Sequence, residues 1–219
     1  MNNILQVKDL SYEYEAGKQV LKNVNLEFEQ GKTYAIIGKS GSGKTTLISL
    51  LSGLEKSQQG DIIFADKNIK EYNLDDYRAH KMGIIFQQYN LLNNYSVKDN
   101  IFMAMRIAKK PLDEQKVFDL LQKVGLDKEV ALKKPLELSG GQQQRVAIAR
   151  TLAKDSQVII ADEPTGNLDE QTEKDILSLL NELVKTENKT LIMVTHSKYI
   201  SDNAEHVYKI ELGEVKFEH

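Results

Sequence analysis

The chain has 219 residues, 41% of them hydrophobic, with 29 basic and 32 acidic side chains and a net charge of −3. That suits one large α/β domain or a domain with an inserted lobe, and it leaves no cationic excess of the kind that nucleic acid or an anionic membrane surface selects. With no cysteine, disulfides, thiolate catalysis and cysteine-based metal sites are excluded.

In chain order, Met1 to Gly17 carries Asp9, Glu13 and Glu15 where a secretion signal needs an apolar core, so none is expected. Ile4-Leu5-Gln6-Val7, Gln19-Val20-Leu21 and Val24-Asn25-Leu26-Glu27-Phe28 predict short strands of a half-exposed antiparallel sheet, which Ile62-Ile63-Phe64 joins. Between them, Ala35-Ile36-Ile37 runs into Gly38-Lys39-Ser40-Gly41-Ser42-Gly43-Lys44-Thr45, a G-x-x-x-x-G-K-[ST] loop, and then into the helix-like Thr46-Leu47-Ile48-Ser49-Leu50-Leu51. Such a loop can hold a phosphate chain: glycines let successive N–H groups point inward, the helix start adds a positive dipole, Lys44 adds a full charge, and the Thr45 hydroxyl can ligate Mg²⁺. Lys67 to Lys81 is charged and polar and reads as a solvated connection.

Ile84 to Phe86 is a second buried strand, ending at Gln87. Residues 88–156 change character, with helical patterns at Val97 to Ile107, Leu112 to Val124 and Gln142 to Ala153 separated by Gly125 and Pro135, and read as an inserted helical lobe. Within it, Leu138-Ser139-Gly140-Gly141-Gln142 opens a helix with an apolar stripe at Val146, Ala149 and Ala153, a second helix start suited to an anion. Val158 to Ala161 then runs into Asp162-Glu163, a pair suited to holding a metal-bound water and to accepting a proton from, or orienting, an attacking one. Asp169 to Val184 is an amphipathic helix, and Leu191 to Val194 a last buried strand before Thr195-His196. Four apolar runs without alternation predict a mostly parallel sheet buried on both faces. Ligands of such sheets bind beyond the strands' carboxyl ends, so the phosphate loop, Gln87, Asp162-Glu163 and His196 are expected in one crevice.

Taken together and in this order, Gly38 to Thr45, Leu138 to Gln142, Val158 to Glu163, Asn167-Leu168-Asp169 and His196 resemble the nucleotide-binding subunit of ATP-binding cassette (ABC) transporters, over essentially the whole chain. The string Ala161-Asp162-Glu163-Pro164-Thr165-Gly166-Asn167-Leu168-Asp169 is most similar to the branch of lipoprotein-release, macrolide-export and FtsE-type cell-division ATPases, which implies an export or lipoprotein- or peptide-release motor, with an FtsE-like cell-division ATPase or an amino-acid importer subunit as the alternative. The resemblance implies the α/β P-loop NTPase fold of ABC ATPases: a mostly parallel central sheet, an N-terminal antiparallel β-subdomain and an inserted helical subdomain. It implies one domain over 1–219, with 1–87 and 157–219 as the nucleotide-binding core and 88–156 as the helical part.

It also implies roles. Tyr14, with Tyr12 competing, stacks on adenine; Gly38, Ser40, Gly41, Ser42, Gly43, Lys44, Thr45 and Thr46 cradle the phosphates of ATP. Thr45, Asp162 and Gln87, or its neighbour Gln88, serve Mg²⁺; Glu163, His196, Gln87 and Lys44 are catalytic. Ser139, Gly140, Gly141, Gln142 and Asp169 act across to a second copy, bound head to tail. An integral-membrane permease is the implied partner, with Tyr89, Leu91, Leu92 and Tyr95 as candidate contacts, and the inner face of the cell membrane the implied location. Two departures stand out: Lys39 adds a cation to the phosphate loop, and Glu211-Leu212-Gly213 replaces an Asp-Gly or Asn-Gly turn. His80, His206 and His219 read as surface residues.

Overall fold

A computed structural model describes residues 3–14 and 17–219 of the chain. The amino-terminal part runs β1 (Asn3–Glu13), β2 (Gln19–Glu29), β3 (Thr33–Ile37), α1 (Lys44–Leu51), β4 (Gln59–Phe64), β5 (Lys67–Asn68), α2 (Leu74–His80) and β6 (Met82–Ile85). Three helices follow, α3 (Val97–Ile107), α4 (Glu114–Lys123) and α5 (Gly140–Leu152). The remainder is β7 (Val158–Asp162), α6 (Glu170–Glu187), β8 (Thr190–Thr195), α7 (Lys198–Asp202), β9 (His206–Glu211) and β10 (Glu214–Phe217).

These strands form two sheets, an antiparallel one in the order β2-β1-β4-β5 and a six-stranded one in the order β10-β9-β3-β8-β7-β6. In the larger sheet β9, β3, β8, β7 and β6 are parallel, and only β10 runs against its neighbour. Side chains alternate across it. Val158, Ile160, Ile192 and Val194 enter a core shared with α1 and the antiparallel sheet, while Ile159, Ala161, Leu191 and Met193 enter a core shared with α3 to α6. Burial on both faces is why these runs read as continuously apolar.

Three local expectations change. The runs at Gln19 and Val24 are one strand, carried through a kink at Asn23 (φ 47°), where the Asn23 N–H turns to the Ser11 hydroxyl. Lys67 to Lys81 is folded: it holds β5, a 3₁₀ turn and α2, and it buries Ile69, Tyr77 and Ala79. His80 and His206 are half-buried, the His206 ring 5.0 Å from that of Tyr34 and 6.0 Å from that of Phe217.

The carboxyl-terminal hairpin joins the two sheets. Leu212 and Gly213 both take positive φ, 49° and 83°, making the tight turn that Asn-Gly more often supplies. The Gly213 carbonyl accepts the Lys22 N–H at 2.9 Å, the Tyr208 hydroxyl donates to the Glu27 carbonyl at 2.9 Å, and the Tyr34 hydroxyl accepts the Glu29 N–H at 2.7 Å. Phe28 of β2 meets Tyr34 and Tyr208 edge to face. Among the described residues, no helix is long and apolar enough to cross a membrane.

Candidate functional site

The loop after β3 lies against the rest of the fold by its glycines. A Cβ on Gly38 would strike the Ile210 carbonyl, and one on Gly43 would come within 2.9 Å of Leu21 Cδ2. Gly41 and Gly43 have φ of 75° and 110°, which side chains with a Cβ rarely adopt. No side chain caps α1, so its first N–H groups are left for an anion. The Lys44 side chain is folded back into the loop, its Nζ donating to the carbonyls of Gly38 (2.6 Å) and Lys39 (3.0 Å) and lying 3.3 Å from His196 Nε2. Burial lowers its pKa from 10.5, against the opposing pull of Glu163 and Asp162. It is therefore a cation held short of full solvation.

The cleft in front of this loop has a volume of about 1040 Å³. Of the sequence-singled residues, Tyr14, Ser40, Gly41, Gly43, Lys44, Thr45, Thr46, Gln87, Asp162, Glu163 and His196 line it. Tyr14 is 58% exposed and hydrogen-bonded through its hydroxyl to that of Thr46 at 3.2 Å, whereas Tyr12 is buried beneath it, edge-on at 5.1 Å. Gln87 rather than Gln88 borders the cleft, with its amide nitrogen against Gly166 and its carbonyl accepting from Asn167 Nδ2 at 3.2 Å. Gly38 lies behind the loop, and the Ser42 hydroxyl is buried without a hydrogen-bond partner.

The carboxylates arrive on the end of β7. Burial, then the nearby Glu163, raise the Asp162 pKa, and Lys44 partly offsets them. Glu163 follows in the left-handed region at φ 44°, its N–H continuing the ladder to the Val194 carbonyl at 2.8 Å. Its two oxygens differ. Oε2 accepts from the Thr195 hydroxyl (3.3 Å) and the His196 N–H (3.2 Å), while Oε1 is buried with no hydrogen-bond partner, 3.4 Å from His196 Nε2. A carboxylate pinned by one oxygen with the other unpaired is suited to accepting a proton.

Ser139, Gly140, Gly141, Gln142 and Asp169 do not line this cleft. Ser139 caps α5 in a reciprocal box with Gln142, the hydroxyl accepting the Gln142 N–H at 3.3 Å and the Gln142 side chain accepting the Ser139 N–H at 3.0 Å. The α5 helix therefore starts at Gly140 rather than Gln142, and it is buried at Ala147 and Ile148 as well as at Val146 and Ala149, with Ala153 buried at its carboxyl-terminal cap. Asp169 caps α6, and its hydrogen bonds from Thr172 hold its carboxyl below the usual value. Lys18, Val20, Glu173 and Ser197 also line the cleft and were not singled out from sequence, whereas Thr165, Gly166 and Leu168 lie in the string that carries the branch resemblance but were given no role there. Outside short motifs, a lone Lys or Ser carries no signal of this kind. Tyr89 and Leu91 are half-buried, while Leu92 (41%) and Tyr95 (52%) are exposed.

The family profile described as ABC transporter matches residues 21–166. The macrolide export ATP-binding/permease protein MacB of Mannheimia succiniciproducens is 40% identical over 97% of this chain, which spans 34% of that longer protein. The lipoprotein-releasing system ATP-binding protein LolD of Rickettsia felis is 37% identical over 97% of each chain. Among solved structures, the dimeric post-hydrolysis state of the ATP-binding cassette MJ0796 bound to ADP and Pi superposes with a TM-score of 0.88 at 32% identity, covering 98% of this chain and 97% of that one.

Proposed function

Because the chain belongs to the ABC transporter family, it is an ATP-hydrolysing subunit that powers a transporter, and we propose that it does so as a two-copy, Mg²⁺-dependent motor for a separate membrane-embedded permease of the export or lipoprotein-release kind. One observation carries this reading: the Lys44 loop, Gln87, Asp162, Glu163 and His196, scattered over the sequence, border a single cleft. Residues 1–87 and 157–219 act as the core and 88–156 as the helical part. Tyr14 offers an exposed ring to adenine. The uncapped start of α1 and the Lys44 amine hold the phosphates.

The residues present fit magnesium. The exposed Thr45 hydroxyl, the Asp162 carboxylate and the Gln87 amide are oxygen donors on one rim, and among the described residues no cluster of three or more His, Asp or Glu side chains offers a ready-made cage. The rest of its shell would come from nucleotide and water oxygens, and the ion, when bound, would supply charge neutralisation for the leaving phosphates. Glu163 Oε1 takes a proton from the attacking water as its oxygen bonds to the γ-phosphorus and the bond to the bridging oxygen breaks, releasing ADP and phosphate. His196, beside both Lys44 Nζ and Glu163 Oε1, faces the γ-phosphate.

Ser139 to Gln142 and Asp169 lie outside their own chain's cleft, which supports their serving a second copy across a two-fold axis. The permease seat is a largely apolar groove of about 460 Å³ between core and helical lobe, walled by Ile84, Phe86, Leu92, Met103 and Ile107. Attachment there puts the chain on the cytoplasmic face of the membrane. The test is Glu163→Gln: turnover should fall by about 10²-fold or more with ATP still bound, and size-exclusion chromatography at saturating ATP should show a dimer. A monomeric, ATP-saturated variant contradicts the two-copy cycle.

A further inference from the structure

Gln144 is the fifth residue of α5 and has no exposed surface. An amide taken wholly out of water costs stability wherever one of its atoms goes unpaired. Its Nε2 donates to the Pro164 carbonyl at 2.6 Å, while its Oε1 is without a hydrogen-bond partner. The donated bond lands one residue past Glu163, whose φ of 44° is held only where the surroundings over-determine it. On the amino side the hold comes from the Glu163 N–H to Val194. On the carboxyl side Pro164 has no N–H to give, so its carbonyl is the one backbone hydrogen-bonding group it offers, and Gln144 grips it. The turn then closes through the Gly166 N–H to the Glu163 carbonyl at 3.2 Å and the Thr165 hydroxyl to Glu173 at 3.0 Å. A methionine would fill the same space without an orphaned oxygen, so packing alone does not account for glutamine here.

We propose that Gln144 is a positioning residue for hydrolysis: it fixes the Glu163 turn, and it makes the position of that carboxylate follow the helix that Ser139 caps. This rests on the reading of Glu163 as the proton acceptor. Displacing the start of α5 would then reset the carboxylate directly, without the nucleotide as intermediary.

The test uses the full chain with Mg²⁺ and ATP. Gln144→Met should melt as the wild type does and bind a fluorescent ATP analogue with unchanged affinity, while kcat falls about 10- to 100-fold with KM little changed. Gln144→Glu regains a donor only when protonated, so its kcat relative to wild type should climb as pH falls, and that of Gln144→Met should not. In a Glu163→Gln background, adding Gln144→Met should cost nothing further. Wild-type kcat in Gln144→Met, or a loss that merely tracks ATP affinity and melting temperature, overturns the proposal; if that variant does not fold, absence of low-pH recovery in Gln144→Glu does so. Glu163→Gln at full rate would remove the premise instead, whereas an inactive Glu163→Gln beside a fully active Gln144→Met removes this inference alone.

Discussion

Folding takes the Lys154 amine out of water and sets it near two other cations, so its effect on stability runs opposite to that of a paired lysine. Burial first, then Arg150 and Arg78, lower its pKa from 10.5 to about 8, and its hydrogen bonds go to the carbonyls of Arg78 and Met82 rather than to a carboxylate. The folded chain therefore releases this proton before the unfolded chain does. Below about pH 8 both states carry it and the whole penalty of the buried charge is present; as pH rises from there toward 10.5 the penalty fades and stability climbs. Relative to Lys154→Met, the wild type should gain about 2 kcal/mol between roughly pH 7 and pH 9.5, measured from urea midpoints of both proteins at both pH values. A pH-independent difference contradicts this. At this scale the sequence was legible where chemistry is packed into short motifs, as at Gly38 to Thr45 and Asp162-Glu163. It was silent on Gln144, because one glutamine among three gives no sign of which is buried.

Among the elements, α2 shows what periodicity misses. Its exposed residues Asp75 and Asp76 and half-buried Arg78 and His80 outnumber the two it buries, Tyr77 and Ala79, so the segment reads as solvated. Yet Asn73 caps it, accepting from the Asp75 and Asp76 N–H groups, and Tyr77 is wholly buried against Phe64 with its hydroxyl on the Leu51 carbonyl at 3.0 Å. One large side chain anchors the whole connection. Tyr77→Ala should cost about 3–5 kcal/mol and Tyr77→Phe about 1 kcal/mol for the lost hydrogen bond, both read from chemical denaturation. Equal, small losses would mean the ring is not the anchor. The buried strands, by contrast, were legible because two covered faces leave no polar alternation to misread, and the helices α3 and α4 because each keeps a polar side.

For the whole molecule, the groove between the helical lobe and the core is bordered by apolar side chains that include the exposed Leu92 and Ile107. If the permease seats there, Ile107→Asp should lower both recovery of the complex and permease stimulation of ATP turnover, while the isolated chain melts as before. Full stimulation in that variant would move the seat elsewhere. Which face meets another chain was not legible from residue types, since Leu91 and Leu92 are sequence neighbours with different burial.

The bonds from Lys22 to Gly213 and from Tyr208 to Glu27 bind the sheet that presents Tyr14 to the sheet that presents the phosphate loop. If Tyr14 takes the purine and the Lys44 loop the phosphates, both ends of a nucleotide are grasped by sheets tied to each other rather than by two separate jaws. On that reading, swinging one sheet off the other would break the bonds from Lys22 to Gly213 and from Tyr208 to Glu27, so spent ADP is expected to leave through the open side of the cleft once whatever covers it peels away.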